Sequence, residues 1–229
     1  TLIEQILASH SQIEGTRELP DVPHIVRELI VNPTSAGESN YPDLVGTLGR
    51  AEIEACAARY LQRTQVHRPL GRPRFVDKMP GNFAHLGLIH LMFPRATIID
   101  ARRHPMGCCF SCYRQLFGRG HFFSYDQQEL GLHYRDYCNL MEHFDTVLPG
   151  RVYRVYYEQL VADPEAEVRR LLQHCGLPFE PGCLRFYENR RVVTTISSEQ
   201  VRRPINADAA EQWRHFEPWL GKLATTLGD

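Results

Sequence analysis

Arg103 and Ser111 are the pair whose types and spacing point most directly to chemistry. They lie in the run Ala96-Thr-Ile-Ile-Asp-Ala-Arg-Arg-His-Pro-Met-Gly-Cys-Cys-Phe-Ser111. Ala96 to Ala101 is short, apolar and rich in β-branched residues, the pattern of a strand covered on both faces. Pro105 favours a turn and suits the first position of a new helix. Arg103 therefore falls at the carboxyl end of a strand, where open α/β sheets collect ligands, with Ser111 about two turns into the following helix. Together with the free N–H groups of a helix start, a guanidinium and a hydroxyl can hold a dianionic phosphate. An isolated Arg/Ser pair has a simpler reading, a surface arginine and a helix serine bonded to its own backbone.

The whole string shifts that balance. Arg-His-Pro with serine eight positions after the arginine resembles the 3′-phosphate-binding motif of sulfotransferases that use 3′-phosphoadenosine-5′-phosphosulfate (PAPS). Further matches occur in that family's order. Thr1-Leu-Ile-Glu-Gln-Ile-Leu-Ala-Ser-His10 resembles the segment after the family's Pro-Arg-Ser-Gly-Thr loop, most closely in bacterial enzymes often fused to tetratricopeptide repeats and more distantly in tyrosylprotein sulfotransferases. Gly15-Thr-Arg-Glu18 resembles the segment carrying the tyrosylprotein enzymes' catalytic glutamate, and Arg74-Phe-Val-Asp-Lys-Met-Pro80 a strand ending in the active-site lysine. Val155-Tyr-Tyr-Glu158 resembles the strand whose tyrosine lies against adenine, and Gln200-Val-Arg-Arg-Pro-Ile205 a C-terminal phosphate-binding loop. The resemblance spans nearly all 229 residues. It implies a chain that begins inside the loop for the 5′-phosphosulfate, retaining Thr1 of that loop and lacking the strand before it. Any tetratricopeptide array would belong to a region upstream of Thr1.

Sulfuryl transfer needs a held donor, a deprotonated acceptor hydroxyl, charge relief on the leaving phosphate and in-line geometry. As in phosphoryl transfer, positioning and electrostatics do most of the work. Cationic side chains can take the place of a metal ion, so the resemblance implies none. Lys78, at the end of an apolar strand, is suited to donate to the oxygen between sulfur and phosphorus; without the matches around it, it reads as a solvated lysine. Glu18 is the candidate general base, since a carboxylate can accept the hydroxyl proton as oxygen attacks sulfur. His10 and His85 are the alternates, because bacterial relatives often place histidine there. The resemblance assigns Ser197 and Arg203 to the phosphate pocket, with Arg202 a lesser candidate. It also assigns Tyr157 to the adenine ring, against the rival reading of strand-edge packing beside Tyr153 and Tyr156.

The expected fold is α/β, a P-loop-like three-layer α/β/α domain with a central parallel sheet, formed as a single domain over residues 1–229. With 43% hydrophobic residues the chain can bury one sizeable core. A net charge of −1 gives no basic surface for nucleic acid, and no apolar run approaches the ~20 residues of a membrane span. The seven cysteines include Cys108, Cys109 and Cys112. Cys109-x-x-Cys112 lacks a second pair at zinc spacing and reads as core thiols in a reducing, cytoplasmic setting.

Helical spacing is visible over Thr1–His10, and Glu18 comes after it in a loop. Residues 32–40 read as a loop, Asp43–Thr64 as a long amphipathic helix and Arg74–Asp77 as a strand. Asn82 is placed as the cap of a helix reaching Phe93. Gln127–Leu148 reads as a second long helix, Arg151–Tyr156 as a strand, and Asp163-Pro164 as the opening of a helix ending near Gly176. Cys183–Thr195 has no assignment; its Arg190 and Arg191 read equally as anion ligands or as surface coating. Loops Ser11–Pro23, Asn32–Asp43 and Gly118–Tyr125 are expected to shape the site of the acceptor, a hydroxyl or amine on a small molecule or peptide. Two rivals remain. A nucleotide kinase would need Gly-x-x-x-x-Gly-Lys-Ser/Thr and a magnesium-binding acid, and neither is visible. A binding module for adenosine 3′,5′-bisphosphate would keep the nucleotide pocket and lack turnover.

Overall fold

The computed structural model describes residues 1–31, 40–118, 120–193, 195, 198–205 and 208–228. They fall into two compact units, one built from Thr1–Ala96 with Glu180–Pro204, the other from Thr97–Phe179 with Ile205–Asp229. Each has a pair of parallel strands with helices between them in sequence, so the fold class is α/β, as read from the sequence. Parallel pairing requires such a crossover, since a tight hairpin returns the chain antiparallel.

In the first unit, helix α1 (Leu2–Ala8) leads into strand β1 (Ile13–Gly15), and after helices α2 (Asp21–Val31) and α3 (Arg50–Thr64) the chain returns as strand β2 (Arg74–Val76). Helix α4 (Leu86–Met92) comes next. Residues Ile13, Glu14 and Gly15 stand opposite Arg74, Phe75 and Val76. Val22, Ile25, Val26 and Leu29 recur at helical spacing along α2, so one face of that helix is apolar. That face packs with Cys56 and Tyr60 of α3 and Leu88 and Met92 of α4 into one buried cluster.

In the second unit, strand β3 (Ile98–Arg102) runs parallel to β4 (Val152–Tyr156), with Arg102 opposite Tyr156. Between them lie α5 (Pro105–Tyr113) and α6 (Gln127–Val147). Asp126 caps α6, its carboxylate accepting from the N–H groups of Gln128 and Glu129 at 2.7 and 3.0 Å. After β4 come α7 (Tyr157–Ala162) and α8 (Pro164–His174), then α9 (Asp208–Glu211) and α10 (Gly221–Leu227). Met106, Cys109 and Phe110 of α5 pack with Leu130 of α6, Trp213, Leu220 and Leu223 into the second core cluster.

Several boundaries differ from the sequence reading. The helix expected over Asp43–Thr64 is a 3-10 turn at Asp43–Thr47 followed by α3. Gly49 breaks it, with extended backbone and an N–H donated to Glu52 Oε2 at 2.7 Å. Asn82 lies inside a 3-10 segment, Pro80–His85, and α4 starts only at Leu86. Ser11–Pro23 is not loop throughout, since it contains β1 and the start of α2. Strand β3 is not covered on both faces: Ile98 and Ile99 are half-buried, Ala101 is exposed, and the buried residue is Asp100. Two cations offset that acid, Arg102 Nη2 at 2.9 Å and Arg154 Nε at 3.3 Å from Oδ2, and the Tyr137 hydroxyl donates to Oδ1. Among the described residues no helix is long and apolar enough to cross a membrane.

Candidate active site

Strand register determines which candidate residues meet. In the second unit β3 and β4 end side by side at Arg102 and Tyr156, so Arg103 and Tyr157 are the next residues on two neighbouring parallel strands. The Arg103 guanidinium carbon lies 5.0 Å from the centre of the Tyr157 ring, a cation–π contact. Its Nη1 donates to Ser111 Oγ at 3.0 Å, which closes the eight-residue interval seen in the sequence. Pro105 occupies the first turn of α5 and puts the N-terminal end of the helix beside the arginine. Gly107 leaves room for this approach, since a Cβ there would stand 3.1 Å from Arg103 Nε. A guanidinium, a hydroxyl and an aromatic face thus converge at one strand-to-helix turn, a donor set suited to a phosphate beside a flat ring. Tyr157 is the first residue of α7 rather than part of the strand.

Two supporting residues escaped the sequence reading. The Tyr134 hydroxyl donates to the Arg103 carbonyl at 3.1 Å, and the His104 N–H donates to Glu158 Oε1 at 3.0 Å. Glu158 belongs to the Val155–Glu158 motif, but nothing in a linear pattern shows that it reaches the turn after a strand 54 residues earlier. The same turn governs the cysteines. Hydrogen bonding from Cys108 holds the Cys112 thiol below its usual range against the opposing effect of burial, and the Arg103 charge adds to the lowering. Burial pushes Cys109 up to about 12. All seven cysteines are free thiols, and among the described residues no group of three or more His, Cys, Asp or Glu side chains is arranged to hold a metal ion.

The first unit works by the same logic. β1 and β2 end opposite one another at Gly15 and Val76, so the residues beyond them, Thr16–Glu18 and Asp77–Lys78, leave the sheet together. Thr16 Oγ1 ties the two exits by donating to the Val76 carbonyl at 2.6 Å. Lys78 Nζ donates to Glu18 Oε1 in an ion pair. The lysine side chain is 21% exposed and the glutamate 42%, so both heads reach solvent. Thr1 Oγ1 is 3.0 Å from Thr195 Oγ1. Glu18 and Lys78 are therefore brought together.

The other candidates separate clearly. His10 is fully buried; its Nδ1 accepts from the Gln12 N–H at 3.1 Å and its Nε2 faces Glu180 Oε1 at 3.4 Å. It is a packed interior residue. His85 stands 2.8 Å from the Tyr41 hydroxyl, and burial lowers its pKa. Arg203 is exposed after a 3-10 turn at Gln200–Arg202, and its guanidinium makes no ion pair or hydrogen bond among the described residues. Arg202 instead donates to the carbonyls of Asn189 and, at 2.6 Å, Arg191. Ser197 lies outside the described residues.

The model of a family described as "Sulfotransferase family" matches residues 1–181. An uncharacterized protein of Aquifex aeolicus is 36% identical over 232 residues, covering 99% of this chain and 30% of that protein. The protein-tyrosine sulfotransferase A of Caenorhabditis elegans is 23% identical over 219 residues, covering 93% of this chain and 57% of its own. The chain thus spans about a third of the first relative and somewhat over half of the second. Among solved structures, the sulfotransferase domain from the Synechococcus PCC 7002 olefin synthase superposes with a TM-score of 0.62 at 21% identity, over 100% of this chain and 90% of that one.

Proposed function

The chain belongs to the sulfotransferase family, and from that premise we propose that it moves a sulfuryl group from PAPS to a hydroxyl or amine acceptor, leaving adenosine 3′,5′-bisphosphate. The observation that carries this reading is the convergence of Arg103, Ser111 and Tyr157 at the ends of two paired strands. In it, Arg103 and Ser111 bind the 3′-phosphate with two donors of fixed spacing, and the Tyr157 ring packs on the adenine face. Arg203 and Ser197 are assigned to the same phosphate.

Lys78 and Glu18 carry the chemical step. The acceptor oxygen forms a bond to sulfur while the bond from sulfur to the phosphate oxygen breaks. The hydroxyl proton passes to the Glu18 carboxylate, and the charge left on the phosphate oxygen is met by the Lys78 ammonium. Binding of the anionic donor competes with Glu18 for Lys78, so the resting ion pair is opened by the substrate that needs both partners. The acceptor is assigned as a hydroxyl of a small molecule or peptide, with 1–229 acting as one functional domain. No metal takes part.

Calorimetric titration with adenosine 3′,5′-bisphosphate and with adenosine 5′-monophosphate tests the nucleotide assignment. Arg103→Ala is expected to weaken the bisphosphate by about 1.5–3 kcal/mol, the scale of a charge-assisted hydrogen bond, and to leave the monophosphate nearly unchanged. Equal losses for both ligands would remove Arg103 from the 3′ site. Lys78→Ala is expected to lower turnover far more than donor affinity, because its charge is needed where the leaving group develops.

A further inference from the structure

Arg191 lies in the segment that the sequence left unassigned, as a surface or anion-binding arginine; the structure makes it neither. Its side chain is 16% exposed and lies against Glu4, itself 2% exposed, with Nη2 donating to Glu4 Oε1 at 2.6 Å. Nε donates to Gln5 Oε1 at 2.7 Å and Nη1 to the Thr16 carbonyl at 2.6 Å. The planar fork of the guanidinium thus grips three acceptors on two segments, a task a lysine ammonium cannot reproduce. Its charge is already met by a buried carboxylate, which leaves no call for an external anion.

The arginine is itself held. Its N–H donates to Asn189 Oδ1 at 3.0 Å, and its carbonyl accepts from Arg202 at 2.6 Å. The fit around it is close, since a Cβ on Gly15 would stand 2.9 Å from Nη1 and 2.6 Å from the Ala8 Cβ. Thr16 therefore has two anchors, its carbonyl on Arg191 and its hydroxyl on the Val76 carbonyl at 2.6 Å. Glu18 is two residues beyond Thr16 and Lys78 two residues beyond Val76.

We propose that Arg191 is a positioning residue for sulfuryl transfer, fixing the Thr16–Glu18 exit of β1 against the Asp77–Lys78 exit of β2 without touching either substrate. The proposal rests on the functional reading of Glu18 and Lys78 given above. Misplacement of a reacting group by about 1 Å can cost on the order of 100-fold in rate, and Arg191→Ala is expected to lower kcat by about that factor. KM for PAPS and Kd for the bisphosphate should stay within about threefold of the parent. Arg191→Lys is expected to resemble Arg191→Ala.

The test uses the full protein with radiolabelled PAPS and two probe acceptors, 4-nitrophenol and tyramine. Added guanidinium ion should restore turnover of Arg191→Ala at least about tenfold by refilling the vacated fork, and should do nothing for Arg190→Ala, whose parent side chain is exposed. A general loss of stability would not respond to that ion. If Arg191→Ala does not fold, Thr16→Val carries the test; it removes the second anchor at nearly constant volume and should also lower kcat with KM unchanged. A folded Arg191→Ala with kcat within threefold of the parent overturns the proposal, as does a loss confined to donor binding or an absence of guanidinium rescue. If the parent transfers sulfate to neither acceptor, the functional reading fails first. Crystal structures of parent and Arg191→Ala then decide the positioning claim: loss of the Lys78–Glu18 ion pair supports it and retention overturns it.

Discussion

Replacing Asp77 by asparagine should stabilise the protein at neutral pH, although Asp77 adjoins Lys78 at the end of β2. Its Oδ2 accepts from the Tyr60 hydroxyl at 2.7 Å, and the Asn82 side chain also hydrogen-bonds to the carboxyl. Burial pushes the carboxyl up from 3.8 to about 6; the hydrogen bonds from Tyr60 and Asn82 oppose the rise and the charge of Asp21 adds to it. At about 1.4 kcal/mol per tenfold, that displacement amounts to about 3 kcal/mol as an upper figure. The folded chain holds this proton more tightly than the unfolded chain. Below pH ~4 both states are protonated and Asp77 contributes nothing to the balance. Between pH ~4 and ~6 the unfolded chain ionises first and stability falls, and above ~6 the full destabilisation is present. Asp77→Asn is isosteric and keeps an oxygen for Tyr60. It should therefore gain up to about 3 kcal/mol at pH 7.5, shrinking toward zero near pH 4. Urea unfolding of parent and variant at four pH values measures the difference directly, with titrations elsewhere cancelling. A gain independent of pH, or a loss at pH 7.5, would show that the carboxyl does not carry this penalty. The predicted penalty sits beside the proposed catalytic lysine, where natural proteins tolerate destabilising groups.

Three further outcomes test other parts of the structure. Gly131→Ala should destabilise by about 1–3 kcal/mol despite alanine's better helix propensity, because the new Cβ would stand 2.8 Å from Thr226 Cγ2 and 2.9 Å from Thr226 Cβ. Thermal unfolding of Gly131→Ala/Thr226→Gly should recover the clash component, whereas Gly131→Ala/Thr226→Ala should recover it only in part. Peptide mapping after brief iodoacetamide treatment should find Cys112 labelled ahead of Cys108 and Cys109, since hydrogen bonding from Cys108 and then the Arg103 charge lower the first thiol while both others are raised. Adenosine 3′,5′-bisphosphate should slow that labelling, and preferential modification of Cys109 would contradict the assignment. Ser111→Ala should weaken the bisphosphate by about 1 kcal/mol, less than Arg103→Ala, because it removes a neutral hydroxyl rather than a charged donor; a larger loss than that of Arg103→Ala would reverse their roles.

The parts of this molecule legible in the sequence are those governed by local rules. Pro105 after a β-branched run marks the β3-to-α5 turn, and Asp163-Pro164 marks the start of α8, because caps and proline geometry act within a few residues. Strand β1 was not legible, since three residues carry no period worth counting, and α3 was overextended because an amphipathic pattern runs past the break at Gly49. The site shows the same division. Arg103 and Ser111 share one turn and one helix, so their eight-residue spacing already implies a meeting. Glu18 with Lys78 and Arg103 with Tyr157 meet through strand register, set by residues 54 to 61 positions apart that no short-range signal connects. Arg191 is the extreme case, reaching α1 across 186 and 187 positions. In a chain of mixed charge an arginine destined for a buried fork looks identical to one bound for solvent. Burial is what distinguishes them: with Glu4 nearly inaccessible beside it, Arg191 cannot be removed without leaving a buried charge uncompensated, so the segment it anchors is held more firmly than its irregular backbone suggests.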